Sequence, residues 1–189
     1  LRENTLIVFF GDNGTGGNYA DESTVRGRRL SGEKGSMLEG GANVPLIVNW
    51  PGKTPAGKVT AELIDSSDFM PTFASLAGAA LPANTVIDGR SFAPQVQGKK
   101  GRPREWIFIQ LARQWYVRDA KYKLNQDGKL FDMSKAPFDE PEALQSSEAA
   151  SARRRLQAAL DQLNPAGGIL DTGDGTGRHA GRANRKKKN

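Results

Sequence analysis

The sequence predicts an α/β fold that ends in a small antiparallel sheet packed with a helix. A continuous apolar run at residues 5–10 is rich in β-branched and aromatic side chains. Such a run is typical of a strand buried on both faces of a mostly parallel sheet. Beyond residue 105, short strand patterns alternate with turns and are followed by a pattern of helical spacing. The chain is therefore expected to combine a layered α/β domain with an antiparallel meander.

A glycine-rich loop follows the first strand at residues 11–17, because Gly, Asn and Asp at this density favour turns. It lies at the carboxyl end of the strand, where open α/β sheets bind their ligands. The polar segment 19–42 has little periodicity and is expected to form a long loop around a site. Residues 44–50 predict a second strand, which a Pro-Gly-Lys turn closes.

A helix is predicted at residues 68–77, with Ser67 as its N-cap, Pro71 in its first turn and Gly78 just beyond its end. Its apolar face is expected to dock on the sheet. The side chains of that face are Phe69, Phe73, Leu76 and Ala77.

The predicted domains are residues 1–98, the last part of an α/β domain, and residues 105–163, a subdomain of antiparallel sheet plus helix. Residues 99–104 resemble a linker. Strands are predicted at 106–110, 114–118, 122–125 and 129–133, and a helix at about 148–163. Residues 164–189 are predicted to be a disordered basic tail, because glycine and like charge cannot bury a core.

Composition excludes several classes of function. The 189 residues contain no cysteine, so disulfides, thiolate metal ligands and a cysteine nucleophile are absent from them. No run approaches the roughly 20 apolar residues that span a bilayer, so no membrane partner is expected. The net charge of +6 comes from the last fifteen residues, and the remainder is neutral. A nucleic-acid partner is therefore not expected, although such a basic segment can bind polyanions.

Asp12 and Asn13 are the first candidates for chemistry. A carboxylate beside an amide carbonyl suits a hard cation such as Ca²⁺ or Mg²⁺, which prefers oxygen ligands. Asp-Asn-Gly is also a favoured turn sequence, so both interpretations stay open. Two side chains cannot complete a calcium shell of about 6 to 8 ligands, and other ligands would have to come from elsewhere.

Lys34 is the second candidate, because glycines at positions 32 and 35 let the backbone approach a ligand closely. Its ammonium could neutralise a tetrahedral oxyanion; the alternative is a lysine on a surface loop. A histidine-based triad is not expected, because the single histidine, His179, lies in the basic tail. The sequence also has no Gly-x-x-x-x-Gly-Lys-[Ser/Thr] phosphate loop.

Several segments in register resemble the arylsulfatase-type sulfatases of the alkaline phosphatase superfamily. The most specific is the segment Lys-Gly-Ser-Met-Leu-Glu-Gly-Gly-Ala-Asn-Val-Pro at 34–45, preceded by the strand and Asp-Asn-Gly at 4–14. The segments at 65–78, 88–92, 118–124 and 129–133 follow in the family's order. The resemblance covers roughly residues 4–163 and implies the C-terminal part of an alkaline-phosphatase-like α/β sandwich, followed by the closing subdomain.

The resemblance implies a sulfuric ester hydrolase that acts on a small sulfate ester or a sulfated glycan. Asp12 and Asn13 would ligate a divalent cation, usually Ca²⁺ with Mg²⁺ possible, and Lys34 would contact the sulfate. The family's nucleophile is a formylglycine made within a Cys/Ser-x-Pro-x-Arg motif, which this sequence lacks. That segment, with further metal and catalytic residues, is expected upstream of Leu1 in a missing N-terminal part. These residues alone are then expected to be inactive.

Two departures from the family pattern bear on specificity and loop geometry. Gly11 stands where a polar residue is common, and residues 135–141 replace a short acidic turn. The alternatives are a phosphate or phosphonate ester hydrolase of the same superfamily and a non-catalytic sulfatase-like binding module. The family suggests a periplasmic or secreted location.

Overall fold

The computed structural model describes residues 1–165. The disordered basic tail predicted at residues 164–189 lies outside the described residues from residue 166 onward. The strands are β1 (Ile7–Phe10), β2 (Thr24–Val25), β3 (Arg28–Arg29), β4 (Leu46–Asn49), β5 (Ile107–Leu111), β6 (Gln114–Arg118), β7 (Tyr122–Asn125) and β8 (Leu130–Asp132). The helices are α1 (Gly17–Ala20), α2 (Glu39–Ala42), α3 (Phe69–Ala77), α4 (Ala93–Val96) and α5 (Ser147–Leu163), with 3₁₀ turns at Arg2–Asn4 and Ser66–Asp68.

Both strands predicted in the first part of the chain are present, but the parallel pairing predicted for β1 is wrong. β1 and β4 form a two-stranded antiparallel ladder in which Phe9 lies opposite Ile47. The expected burial on both faces is also wrong, because Ile7, Phe9 and Ile47 are 48%, 59% and 60% exposed. An apolar run indicates that a strand requires cover, but it does not specify the direction of the neighbouring strand.

The segment predicted as one long loop at 19–42 contains regular structure. β2 and β3 form a small antiparallel hairpin, and α2 is a single helical turn before β4. Arg26 and Gly27 turn the hairpin with positive φ angles of 53° and 72°. Pairings of two residues leave too little periodicity to be recognised in a sequence.

The helix predicted at 68–77 is α3, and Gly78 ends it in the left-handed conformation. The predicted N-cap Ser67 is wrong, because the Asp65 side chain caps the 3₁₀ turn and accepts a hydrogen bond from the Ser67 backbone N–H. The predicted docking face is only partly correct. Phe69 packs on Phe10 of β1 at 4.9 Å between ring centroids, but Phe73 is 42% exposed.

The segment predicted as a linker is anchored at its end by a buried ion pair. Arg104 donates from Nε and Nη2 to the carboxylate of Asp68, at 2.8 and 2.6 Å, and both side chains are at most 9% exposed. Asp68 also accepts a 2.6 Å hydrogen bond from the backbone N–H of Arg90. The first part of the chain is therefore bonded to the end of the predicted linker here, and the division into two domains stays a prediction.

The predicted meander and its covering helix are confirmed. β5 to β8 form a four-stranded antiparallel sheet in sequence order, and α5 packs on it, with Ser146 as its N-cap. The apolar face of α5 meets the inner face of the sheet. The core so formed contains Val117, Tyr122, Leu124, Leu130, Ala149, Ala152, Leu156, Ala159 and Leu160. Within residues 1–165, no helix has the length and apolar character to cross a bilayer.

Tyr116 of β6 gives a test of the buried sheet. Its side chain is 1% exposed, and its hydroxyl has no hydrogen-bond partner among the described residues. Burial raises the pKa of Tyr116, the negative charge of Glu39 raises it further, and Arg118 opposes the shift. Because an unpaired buried hydroxyl is destabilising, we expect Tyr116→Phe to raise the free energy of unfolding by about 1 kcal/mol.

The same substitution should change the pH dependence of unfolding. A phenol with a raised pKa stays protonated in the folded chain while it ionises in the unfolded chain above about pH 10, so stability is lost as pH rises there. Denaturant titrations between pH 8 and 11 should show a shallower loss for Tyr116→Phe than for the wild type. Tyr19→Phe, at an exposed tyrosine, is the control and should match the wild type. Identical slopes for all three proteins would contradict the assignment.

Candidate active site at the Asp12 and Lys34 loops

Asp12 and Asn13 lie directly after β1, on a loop held by the backbone of the β4 region. Gly11 N–H donates to the Pro45 carbonyl at 3.1 Å, and Gly14 N–H donates to the Gly41 carbonyl at 3.0 Å. A Cβ added at Gly14 would overlap the Gly40 carbonyl oxygen, so only glycine permits this approach. The Asn13 amide donates to the Asp12 carboxylate. The two predicted cation ligands are therefore neighbours on a loop of restricted geometry.

Lys34 lies on a second loop that is bonded to the first. Its backbone N–H donates to the Thr15 carbonyl at 2.8 Å. Gly32 and Gly35 flank it with φ angles of 84° and 90°, the left-handed region that glycine adopts without strain. The Lys34 side chain is exposed and forms no salt bridge within residues 1–165. Its ammonium is therefore available to an anion.

The two loops face one open cleft of about 2190 Å³. Asp12, Asn13 and Lys34 all line it, as does Glu33, which sequence reasoning did not single out. The Glu33 carboxylate lies over Gly17, where an added Cβ would come within 2.9 Å of Oε2. The sequence feature that could have indicated Glu33 is its position next to Lys34. The structure thus brings the predicted residues to one cleft, and their individual roles stay predictions.

The side chains present are of the type that binds a hard cation, but they are too few to complete its coordination shell. Asp12 and Asn13 supply oxygens of the type that Ca²⁺ and Mg²⁺ prefer. Within residues 1–165, no cluster of three or more His, Cys, Asp or Glu side chains could hold a metal ion. In the structure the Asn13 side-chain nitrogen, not its oxygen, faces the Asp12 carboxylate. The role of these two side chains as cation ligands stays a prediction.

A buried ionic cluster lies beneath the Lys34 loop, and sequence reasoning did not find it. Arg118 Nη1 donates to Glu39 Oε1 at 2.7 Å, and the ammonium of Lys123 contacts Glu140. Glu39 N–H donates to Glu140 Oε1 at 2.7 Å, which joins the two pairs. We name these four residues, Glu39, Arg118, Lys123 and Glu140, the charge cluster. Glu39 and Arg118 are 79 positions apart, so no local pattern could have indicated the contact.

The electrostatics of the charge cluster are balanced. Its side chains are 3%, 12%, 4% and 1% exposed, in chain order, and their formal charges cancel. Burial lowers the pKa of Lys123 to about 8, with Glu39 opposing the shift and Arg118 adding to it. At neutral pH the ammonium therefore remains mostly protonated and can pair with Glu140.

Comparison with known proteins gives one consistent result. The family model described as Sulfatase matches residues 1–79. Mouse steryl-sulfatase is 39% identical over 116 residues, which cover 57% of this chain and 18% of that protein. Human arylsulfatase A is 37% identical over 129 residues, which cover 65% of this chain and 25% of that protein. The chain thus spans about a fifth to a quarter of these relatives.

The solved structure of a 2-O GAG sulfatase superposes with a TM-score of 0.64 at 25% identity, over 85% of this chain and 36% of that one. This match covers a larger share of the chain than the family model, which is limited to residues 1–79. The predicted resemblance to an alkaline-phosphatase-like sulfatase fold is therefore confirmed. By sequence over residues 1–79 and by fold over most of its length, this chain is similar to proteins of the sulfatase family.

Proposed function

We propose that this chain is part of a sulfuric ester hydrolase and forms one side of its sulfate-binding site. The observation that carries the proposal is the bonded pair of loops that brings Asp12, Asn13 and Lys34 to one cleft. A cation paired with an ammonium suits the tetrahedral sulfo group of a sulfate ester, because its negative charge is shared among oxygens that each can contact separately.

Lys34 is the proposed sulfate contact. Its exposed ammonium is free of ion pairs within residues 1–165, and the Lys34–Thr15 backbone bond limits its distance from the Asp12 loop. A positive charge held in advance near the sulfate oxygens stabilises the charge that develops there as the ester bond breaks. Lys34 would therefore contribute to the transition state rather than act as nucleophile or base.

Asp12 and Asn13 are the proposed cation ligands, with Ca²⁺ favoured and Mg²⁺ as the alternative. A bound divalent cation would act as a Lewis acid toward a sulfate oxygen. Asp12 contributes a negative charge that offsets part of the ion's charge, and Asn13 contributes a neutral oxygen. The remaining ligands are proposed to come from outside residues 1–165, as is a formylglycine nucleophile.

The exposed apolar face of β1 and β4 is the proposed contact with a further part of the sulfatase fold. Ile7, Phe9 and Ile47 project from this face, and apolar side chains of this size are normally covered. The solved sulfatase structure is almost three times as long as the matched region, which supports such an occupant. For the whole protein we propose a sulfate ester of a small molecule or glycan as substrate and a periplasmic or secreted location.

The first test of this proposal is cation binding by the chain alone. Because Asp12 and Asn13 supply only part of a shell, we expect Ca²⁺ to bind weakly, with a dissociation constant of about 1 mM or higher. Isothermal titration calorimetry should find that Asp12→Ala removes this binding. Asp127→Asn is a matched control, because Asp127 is an exposed aspartate with a neighbouring amide, Asn125, on a distant turn. Tight binding that survives Asp12→Ala would exclude Asp12 as a ligand.

The second test is catalysis. We expect the 189 residues alone not to hydrolyse 4-nitrophenyl sulfate, because they contain neither a cysteine nor the Cys/Ser-x-Pro-x-Arg motif in which a formylglycine nucleophile is made. In a sulfatase polypeptide that also carries the formylglycine segment, Lys34→Ala should lower kcat/KM by about 100-fold or more, the scale of one preorganised charge contact. Lys129→Ala, at an exposed lysine of the distant sheet, should leave kcat/KM unchanged.

Near wild-type activity of Lys34→Ala would exclude Lys34 as the sulfate contact. Turnover by the 189 residues alone would contradict the need for a further nucleophile segment. Faster hydrolysis of 4-nitrophenyl phosphate than of the sulfate would favour the phosphate ester hydrolase instead.

A further inference from the structure

The Lys34 loop contacts the C-terminal part of the chain at several points besides the charge cluster. Ser31 N–H donates to the Pro137 carbonyl at 2.9 Å, and the Arg28 guanidinium lies 4.2 Å from the centroid of the Phe138 ring. Lys123 Nζ donates to the Met37 carbonyl at 3.2 Å. The loop that presents Lys34 is thus bonded on both of its sides to residues more than 80 positions away in sequence.

Glu39 is the point where these contacts converge. One carboxylate oxygen accepts from Arg118, and the other accepts from the Asn43 side chain at 2.9 Å, just before β4. Its backbone N–H donates to Glu140. Both the carboxylate and the backbone N–H of Glu39 are therefore hydrogen-bonded. Glu39 begins α2 only five positions after Lys34. A displacement of Glu39 would be transmitted to Lys34 through a short segment.

The second acidic member of the charge cluster, Glu140, belongs to the turn at residues 135–141. It bonds both the Glu39 backbone and Lys123, and its side chain is 1% exposed. This segment also supplies the Pro137 and Phe138 contacts to residues 28–31. One side of this turn therefore packs against the Lys34 loop.

We propose that Glu39 is a positioning residue: through the charge cluster, the small C-terminal sheet holds the Lys34 loop against the Asp12 loop and so sets the sulfate contact. The proposal rests on the assignment of Lys34 as that contact. A buried ion pair can fix one arrangement of two segments, because every displaced arrangement leaves a charge buried without a partner. The charge cluster sets register between two parts of the chain that have no shared strand or helix.

The test separates position from stability with three variants. Glu39→Gln leaves Arg118 buried without its partner charge and should destabilise the chain and release the loop. The double variant Glu39→Gln with Arg118→Met leaves no unpaired charge at this position, so its stability should largely return to that of the wild type. The Glu39–Arg118 ion pair is still absent from it. Glu148→Gln is the control, because it breaks an exposed ion pair with Lys121 on the same sheet, away from the loop.

Two readouts are needed. Hydrogen exchange of the Lys34 amide, which is bonded to Thr15, reports the loop position directly. We expect exchange to accelerate by about tenfold or more in both Glu39 variants and to remain unchanged in Glu148→Gln. Titration with inorganic sulfate, followed by the amide NMR shifts of the Lys34 loop, should give an affinity lowered by about tenfold in the same two variants.

The outcomes distinguish the two proposals. If Lys34→Ala leaves sulfate affinity unchanged, the assignment of Lys34 fails, and the exchange data alone decide whether Glu39 positions the loop. If exchange of the Lys34 amide is unchanged in Glu39→Gln, or if it returns to the wild-type rate together with stability in the double variant, the positioning role is wrong. Should Glu39→Gln not fold, Arg118→Lys, which keeps the charge but loses the reach of the guanidinium, is used in its place.

Discussion

The charge cluster joins the two parts of this chain. Glu39 lies in the first part and Arg118, Lys123 and Glu140 in the second, and all four side chains are almost withdrawn from water. Removal of one member of a buried pair typically costs about 3 to 5 kcal/mol, because its partner stays charged and desolvated. That energy is comparable with the total stability of many domains, so the arrangement of the Lys34 loop depends on a sheet that begins some 70 residues later.

The Asp68–Arg104 pair has the same character at a second point. Asp68 accepts from Arg104 and from the Arg90 backbone, so one carboxylate connects the start of α3, the loop before α4 and the end of the predicted linker. Bidentate bonding by a guanidinium defines orientation as well as distance. The small sheet and α5 provide an apolar core, whereas the segments around the cleft are held to each other by buried ion pairs. The ion pairs Asp68–Arg104 and Glu39–Arg118 therefore fix the distance between the segments that line the cleft.

The site residues themselves are held mainly by backbone. Hydrogen bonds from Gly14 and Lys34 join the two loops without the side chains of Asp12, Asn13 or Lys34. Those side chains therefore remain available for a cation and an anion. The uncovered apolar face of β1 and β4 would be stabilised by a further surface, because burial of apolar area is favourable. The charged side chains of the site differ, because their burial is favourable only when a bound ion of opposite charge offsets the cost of desolvation.

The sequence by itself determined the elements whose signals are local. The alternation of strand patterns and turns predicted β5 to β8, and helical spacing predicted α5 to within one residue, because turn chemistry and side-chain periodicity act over a few positions. The same kind of signal pointed to Asp12, Asn13 and Lys34. Only the tertiary structure decided the antiparallel pairing of β1 with β4, the capping by Asp65 in place of Ser67, and the Glu39–Arg118 bond. The pairing and the ion pair depend on partners that meet only when distant segments pack, and Asp65 and Ser67 are both good caps, so local propensity could not choose between them.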